Sequence, residues 1–465
     1  MYNKTKHIHF VGVGGIGMSG IAELLLNLGY QISGSDLNST AITENLAGLG
    51  GQIHVGHHGE WVAGADVVVT SSAIDSANPE VLAARAANIP VIQRAEMLAE
   101  LMRLKKFGIA IAGSHGKTST TSMVSWILTR AGLDPTVVVG GKVDSLGGSN
   151  AKLGHGEFLV AEADESDGSF LKLSPVLEVV TNIDLEHLDY YHDIDHIKSV
   201  FLEFIDKIPF YGAVVLCLDD PHVADILPLI RKRIISYGLT SQADVQAEQL
   251  SAGQGRVRFQ LKQHGQELGP IELAVPGRHN VYNSLAAVCV ALELEIPFAI
   301  IASALAEYQG VQRRLERKGE VGNIVVMDDY GHHPTEIRAT LEAVKQAWPE
   351  RRLVVLFQPH RYSRTKGLYQ EFQTAFHLAD VLLMTEIYAA SEEPVPGISG
   401  ERLLADVRKH GQRKTLFVSQ VLDIPEALEP LLEAGDLVLT LGAGNIVQAG
   451  ELLLERLRSP GEQSN

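Results

Sequence analysis

Two glycine loops, each set between an apolar strand-like run and a helical run, carry the clearest chemistry in this sequence. The first, Gly12-Val13-Gly14-Gly15-Ile16-Gly17, has GxGxxG spacing, with Asp36 downstream at the distance such loops place an acidic residue. Glycines there let a diphosphate approach the backbone at a helix N-terminus, where N–H groups lacking intrahelical partners favour anions. Alone, the loop suggests a nicotinamide dehydrogenase, and diphosphate binding is favoured over a purely structural glycine turn. The second loop, Gly113-Ser114-His115-Gly116-Lys117-Thr118, opens another helix. Its backbone N–H groups can cradle phosphates, Lys117 brings a point charge to the β/γ oxygens, and the Thr118 hydroxyl can reach Mg2+. It is not a strict GxxxxGK[ST] loop, because Ile111 occupies the place of the first glycine.

Carboxylates follow. Glu162 ends the apolar run FLVAEAD, where an unpaired charge would be costly. A metal ion explains its position, since Mg2+ prefers carboxylate and phosphate oxygens with water. Asp164, Glu165 and Asp167 come next; they read equally as a solvated acidic turn, and are placed behind Glu162 rather than on the ion. His187 alone reads as an ordinary core or surface histidine. Asn280 and Asn283 share a helix face and suit the edges of an adenine, or a capping or packing role. Tyr330, His332, Arg361 and Arg364 follow predicted strand ends, where open α/β sheets place ligands; an arginine fork fits a carboxylate or phosphate.

The elements that must position these groups read as strands alternating with helices. HIHFVGVG (7–14), QISGSD, ADVVVTSSA (65–73) and PVIQR are strand-like, with helices between them. A second series starts at FGIAIAG (107–113) and runs through PTVVVGG, FLVAEAD and VLEVVTNID. Such alternation means parallel, doubly wound sheets. Between about 244 and 276 apolar and polar residues alternate, as in half-exposed antiparallel strands, which predicts a side sheet appended to this unit. Tyr308-Gln309-Gly310 reads as a hinge, and a third series begins at NIVVMDDYG (323–331). The expected architecture is three α/β domains, 1–103, 104–311 and 312–465: Rossmann-like, P-loop mononucleotide-binding with the added antiparallel sheet, and Rossmann-like again.

The 465 residues include 39 basic and 56 acidic side chains, a net charge of −17, which argues against a general nucleic-acid or membrane-surface binder. Cys217 and Cys289 lie in apolar runs and are too few for a disulfide scaffold or zinc site. No signal-peptide block and no apolar stretch of spanning length is present, so the expected location is cytoplasmic.

Taken in order, these motifs resemble those of the Mur ligases. GSHGKTSTT resembles the family's ATP loop, VAEADESDGSF its magnesium motif, and TNIDLEHLDYY the segment with its metal-binding histidine. PGRHNVYNSLAA resembles its adenine-side helix, and DDYGHHPTE and FQPHRYSRT its C-terminal motifs. The ending Met18-Ser19-Gly20 of the first loop resembles the member that adds alanine. Two departures are Glu186, where aspartate is usual, and Asn445 in GAGNI, where the family has GAGDI.

The resemblance implies ATP-dependent amide formation, joining L-alanine to UDP-N-acetylmuramate through an acyl phosphate. It implies Lys117, Glu162, His187 and Arg314 as catalytic, and Thr118, Glu162 and His187 as holding Mg2+, with Mn2+ able to substitute. ATP would meet Gly113, Ser114, His115, Gly116, Lys117, Thr118, Ser119, Asn280, Asn283, Arg314 and Asp329. The UDP-substrate would meet Gly12, Gly14, Gly15, Gly17, Met18, Ser35, Asp36, Ser71 and Ser72, and the amino acid Tyr330, His332, Arg361 and Arg364. Partners are then these small molecules, with a monomer or weak homodimer expected. A sibling that attaches a recycled murein peptide shares the later motifs but differs in the glycine loop. A dehydrogenase would leave Lys117 and Glu162 idle, and a non-catalytic nucleotide sensor should have lost the metal carboxylate or the closing arginine.

Overall fold

A computed structural model describes residues 5–71, 73–143, 149–187 and 190–458. Three sheets succeed one another along the chain. In the first, five parallel strands run in the spatial order Gln52–Val55, Gln31–Asp36, His7–Val11, Val67–Thr70, Val91–Gln93. The order reverses beside His7–Val11, so the loop that leaves this strand stands at the crevice where such sheets bind ligands. Helix Ile16–Asn27 covers the sheet with Met18, Ile21, Leu24 and Leu25, all buried.

The middle sheet has ten strands. At its centre Phe107–Ala112 lies between Leu177–Val180 and Phe158–Glu162, all parallel, so three chain segments leave one sheet edge side by side. Those segments carry the Lys117 loop, residues 181–187 and the carboxylates from Glu162 onward. Apart from Glu178 and the terminal Glu162 these three strands are apolar, because helices cover both faces. The alternating segment forms three antiparallel strands, Val245–Gly253, Arg256–Gln263 and Gln266–Leu273. They are continuous with the main sheet rather than set aside from it: Tyr237 and Gly238 pair in parallel with Val245 and Gln246. Val257, Phe259 and Leu261 point inward to the core beneath helix Arg278–Glu293, while Arg256 and Arg258 face solvent.

The chain passes from helix Phe298–Glu307 to the third sheet through a short linker in which Gly310 (φ 94°), Arg313 (φ 59°) and Leu315 (φ 49°) are left-handed. That sheet runs Glu316–Val321, Ile324–Asp329, Leu437–Leu441, Leu353–Phe357, Val381–Met384, Thr415–Phe417, with only the first strand antiparallel. Cys217 and Cys289 are free and buried. Among the described residues no helix is long and apolar enough to cross a membrane.

Candidate active site

The Lys117 loop is built by its neighbours as much as by itself. Gly113 (φ 124°) and Gly116 (φ 83°) are left-handed, and a Cβ on either would overlap the side chain of Thr181 or Asn283. Asn182 accepts the Ser114 amide through its carbonyl (3.1 Å) and the His115 amide through Oδ1 (2.9 Å). Thr181 Oγ1 donates to the His115 carbonyl at 2.6 Å. Helix Lys117–Arg130 then starts with its N–H groups facing the loop. Lys117 Nζ donates to the Gly113 and Ser114 carbonyls (2.7 and 3.1 Å) and pairs with Glu165 at 2.8 Å. Burial opposes its charge, but Glu165 and Glu162 outweigh burial and raise its pKa.

Glu162 and Glu165 serve different partners. Glu162 Oε2 accepts from Thr118 Oγ1 (2.9 Å) and from the Gly140 amide (2.8 Å). Glu165, buried, faces Lys117 on one side and His187 Nε2 on the other, at 3.4 Å. His187 adopts a left-handed backbone (φ 54°), and Glu186 lies 3.9 Å from its Nε2. Ligand atoms of Glu165, Glu186 and His187 all fall within 4.8 Å of one another. The structure thus groups His187 with Glu165, which the sequence placed behind Glu162, and keeps Glu162 with Thr118. Burial works against a charged His187, yet Glu165 and Glu186 raise its pKa.

Glu186, marked in the sequence as a departure and given no role there, is the hub of the cleft. It is buried, 3.3 Å from Arg364 Nη2, 3.6 Å from His332 and 4.0 Å from His115. Burial opposes its charge, while His332, His115 and His187 hold its carboxyl well below the usual range. The available signal was its place beside His187. His115 Nε2 bonds Asp184 at 2.9 Å, and its Nδ1 is 3.6 Å from Glu336 of the third sheet's first helix, Pro334–Ala347. Against burial, Asp184 and Glu336 push the imidazole up to about 10. Thr335 Oγ1 also crosses the cleft, donating to Asp184 at 2.8 Å.

A cavity of about 450 Å³ opens between the middle and third sheets. Gly116, Ser119, Asn280 and Asn283 line one wall, and Arg314, Asp329 and Glu336 the other. Asn283 takes a hydrogen bond from Thr120 (3.3 Å) and gives one to Asn280 Oδ1 (3.2 Å), so their shared face is set before any ligand arrives. Burial lifts the Asp329 carboxyl to about 6. A second cavity, about 370 Å³, is lined by Glu186, His187, Arg361, Ser363, Arg364 and Lys366. Arg361 is left-handed (φ 68°), the kind of backbone strain that collects at ligand sites. Arg361 and Arg364 meet there, whereas His332 does not line this cavity and reaches it only through Glu186, 3.6 Å away. Tyr330 instead lies under the guanidinium groups of Arg313 and Arg314, 5.1 and 5.4 Å from its ring centroid.

At the first sheet Gly12 is left-handed (φ 77°), and Asp36 Oδ2 accepts the Gly14 amide at 2.9 Å, bracing the loop from below. Met18 is core, and Ser35 is fully buried, donating to Glu80 Oε2 at 2.6 Å. Neither side chain faces the crevice. Ser71 is half-buried at the end of Val67–Thr70, and Ser72 lies outside the described residues.

Residues 7–106 match the family model for the Mur ligase catalytic domain, 111–291 the Mur ligase middle domain, and 313–444 the Mur ligase glutamate ligase domain. The chain belongs to the Mur ligase family. Each loop described above falls inside one of these matches. The UDP-N-acetylmuramate–L-alanine ligase of Desulfotalea psychrophila is 65% identical over 457 residues, 98% of this chain and 99% of that one. The crystal structure of the UDP-N-acetylmuramate–alanine ligase of Thermotoga maritima has a TM-score of 0.84 at 31% identity, covering 98% of this chain and all of the other (100%). A murein peptide ligase from Psychrobacter arcticus shares this Mur ligase fold with a TM-score of 0.73 at 24% identity, over 98% of this chain and 100% of that one.

Proposed function

We propose that this Mur ligase joins L-alanine to the carboxylate of UDP-N-acetylmuramate, converting ATP to ADP and phosphate, in peptidoglycan precursor synthesis. The observation that carries this reading is the 65% identity, over nearly the full length of both chains, to an enzyme of that name. The peptide-adding ligase of Psychrobacter arcticus is 24% identical, a likeness of fold alone.

The cleft suits each step. The first glycine loop receives the diphosphate of the UDP-substrate on backbone N–H groups. ATP fills the larger cavity, with its adenine toward Asn280 and Asn283 and its phosphates on residues 113–119. Lys117 leaves its two carbonyls and Glu165 to meet the β/γ oxygens, where positive charge offsets the approach of the muramoyl carboxylate. Arg314 reaches the same phosphates from the opposite wall. The donors present fit divalent magnesium: a hydroxyl and carboxylate at Thr118 and Glu162, and two carboxylates with an imidazole at Glu165, Glu186 and His187. Bound there, Mg2+ would neutralise phosphate charge; Mn2+, which favours imidazole more, would serve the second set. The muramoyl carboxylate takes the γ-phosphoryl group as ADP leaves; the amine of L-alanine, whose carboxylate the Arg361 and Arg364 forks suit, then attacks the acyl carbon, phosphate leaves and the nitrogen gives up a proton as the amide forms. The Arg364–Glu186 and Thr335–Asp184 contacts close the cleft and exclude water that would hydrolyse the acyl phosphate.

Domains at 1–103, 104–311 and 312–465, a cytoplasmic location and a monomer or weak homodimer belong to the same reading. A phosphate-release assay with UDP-N-acetylmuramate, ATP and Mg2+ tests it. L-alanine should drive release; turnover with L-alanyl-γ-D-glutamyl-diaminopimelate but not with L-alanine would move the protein to the recycling reaction. Calorimetry should show binding of UDP-N-acetylmuramate and not of NAD.

A further inference from the structure

Helix Arg94–Met102 begins where strand Val91–Gln93 ends, on the sheet edge that carries the first glycine loop. Its first side chain, Arg94, reaches two loops at once. The guanidinium lies over the opening turn of helix Ile16–Asn27, so near that a Cβ on Gly17 would overlap Nη1 and stand 3.2 Å from Cδ and Cζ. A side chain at this position would push the guanidinium aside. The other terminal nitrogen, Nη2, donates to Asp164 Oδ2 at 2.8 Å. Asp164 stands in the middle sheet's carboxylate loop, between Glu162, which holds Thr118, and Glu165, which holds Lys117. Its Oδ1 accepts the Ser166 amide at 3.1 Å, which fixes the direction of the carboxylate.

Two further contacts brace the same junction. Lys172 pairs with Glu96 of the Arg94 helix at 2.7 Å, and Asn150 of the middle sheet donates to the Ile16 carbonyl. The Arg94 and Asp164 side chains remain 28% and 40% exposed, and ion pairs of that exposure add only about 0–1 kcal/mol to stability. Holding the fold together is a weak reason for this pair. Its position between two phosphate-binding loops is a stronger one, and a planar fork can serve two acceptors where a lysine's point charge cannot.

We propose that Arg94 is a positioning residue that sets the diphosphate loop against the carboxylate loop, so that filling one loop with its phosphates strengthens binding at the other. The inference rests on reading the first glycine loop as the diphosphate site. Phosphate over the Gly17 turn draws the guanidinium; Asp164 follows it; and the flanking Glu162 and Glu165 move relative to Thr118 and Lys117. The coupling works in both directions, since binding energies at linked sites are reciprocal.

Calorimetry with a non-hydrolysable ATP analogue and Mg2+, with and without saturating UDP-N-acetylmuramate, reads this coupling directly. In the parent the UDP-substrate should tighten the analogue by a factor in the usual range for linked sites, about 5- to 150-fold. In Arg94→Gln the factor should fall to near one, with each ligand still bound when alone. Arg94→Lys should recover only part of it. Asp164→Asn breaks the same bond from the other side, so it should reproduce the loss and serves if Arg94→Gln does not fold. The double variant should be no worse than either single one, as for two partners of one bond; a merely structural role would lower each single-ligand affinity and leave the coupling factor unmoved. A coupling factor left intact in both Arg94→Gln and Asp164→Asn, or absent from the parent, overturns the proposal. A parent that does not bind the UDP-substrate at all overturns the diphosphate reading instead.

Discussion

Replacing Glu186 with glutamine tests the cleft at its hub. The change removes one negative charge and almost no volume, so packing is preserved. At 3.3 Å from Arg364, a unit charge pair in an effective dielectric of about 20 interacts by about 5 kcal/mol. His332 at 3.6 Å and His115 at 4.0 Å add to the gross figure. Much of that sum is offset by the desolvation all these groups have already undergone. The net cost of removing one partner of a buried pair is about 3–5 kcal/mol. The amide keeps an acceptor oxygen, which favours the lower end. If closure of the third sheet is required for turnover, about 3 kcal/mol corresponds to roughly a 150-fold loss in kcat/KM. Glu186→Asp keeps the charge and should lose far less. Phosphate release at varied L-alanine concentration measures both. A Glu186→Gln enzyme with the parent's kcat/KM would refute the reasoning, because Arg364 would then be facing an amide at no cost.

His187→Ala should still bind ATP but fail in positional isotope exchange without L-alanine, which reports acyl-phosphate formation; exchange at the parent's rate would leave His187 without a part in activation. His115 has a folded pKa of about 10 against an ordinary 6.5. Its stabilising contribution is therefore complete below pH 6.5 and is lost as pH rises through about 10. By NMR its ring should not titrate between about pH 5 and 8, and a midpoint near neutrality would contradict the network. Glu178 is fully buried with neither carboxyl oxygen hydrogen-bonded, and burial raises its pKa. Glu178→Leu should stabilise the protein by about 1–3 kcal/mol. The parent's deficit should grow as pH rises above 4.5 toward the raised folded pKa, while the variant's stability stays flatter. Unchanged melting temperatures would mean that the carboxyl finds a partner in solution.

The motifs that local sequence dictates were legible. The Lys117 loop had to follow an apolar strand and open a helix, and Phe107–Ala112 and Lys117–Arg130 do so. What failed to show in the sequence was facing. Glu162 and Glu165 are alike in type and three residues apart; only the pairing of Ile111 with Glu162 settles that Glu162 meets Thr118 while Glu165 turns to His187. Ser35 and Asp36 are adjacent on one strand, and successive strand residues point to opposite faces. One braces the glycine loop; the other is sealed against Glu80, 45 residues away. The antiparallel strands were legible from alternation, but their union with the main sheet hangs on two residue pairs, Tyr237–Val245 and Gly238–Gln246.

The single crossing through Gly310 has a consequence for how easily nucleotide exchanges. The third sheet meets the catalytic loops through a handful of polar contacts, among them Arg364–Glu186, His115–Glu336 and Thr335–Asp184. Helix Pro334–Ala347 packs on Arg278–Glu293 and Val245–Gly253 as well; if the two halves as separate bodies associated with a dissociation constant on the order of millimolar, that would be about 4 kcal/mol. A short tether supplies one half to the other at an effective concentration that is also on the order of millimolar. Open and closed forms then stand near balance. A ligand that prefers the closed form by a factor of about 100, or roughly 2.7 kcal/mol, shifts the population from about half to about 99% closed. So weak a bias leaves the cleft free to release ADP once the γ-phosphate has gone, and still seals it while the acyl phosphate is exposed to attack.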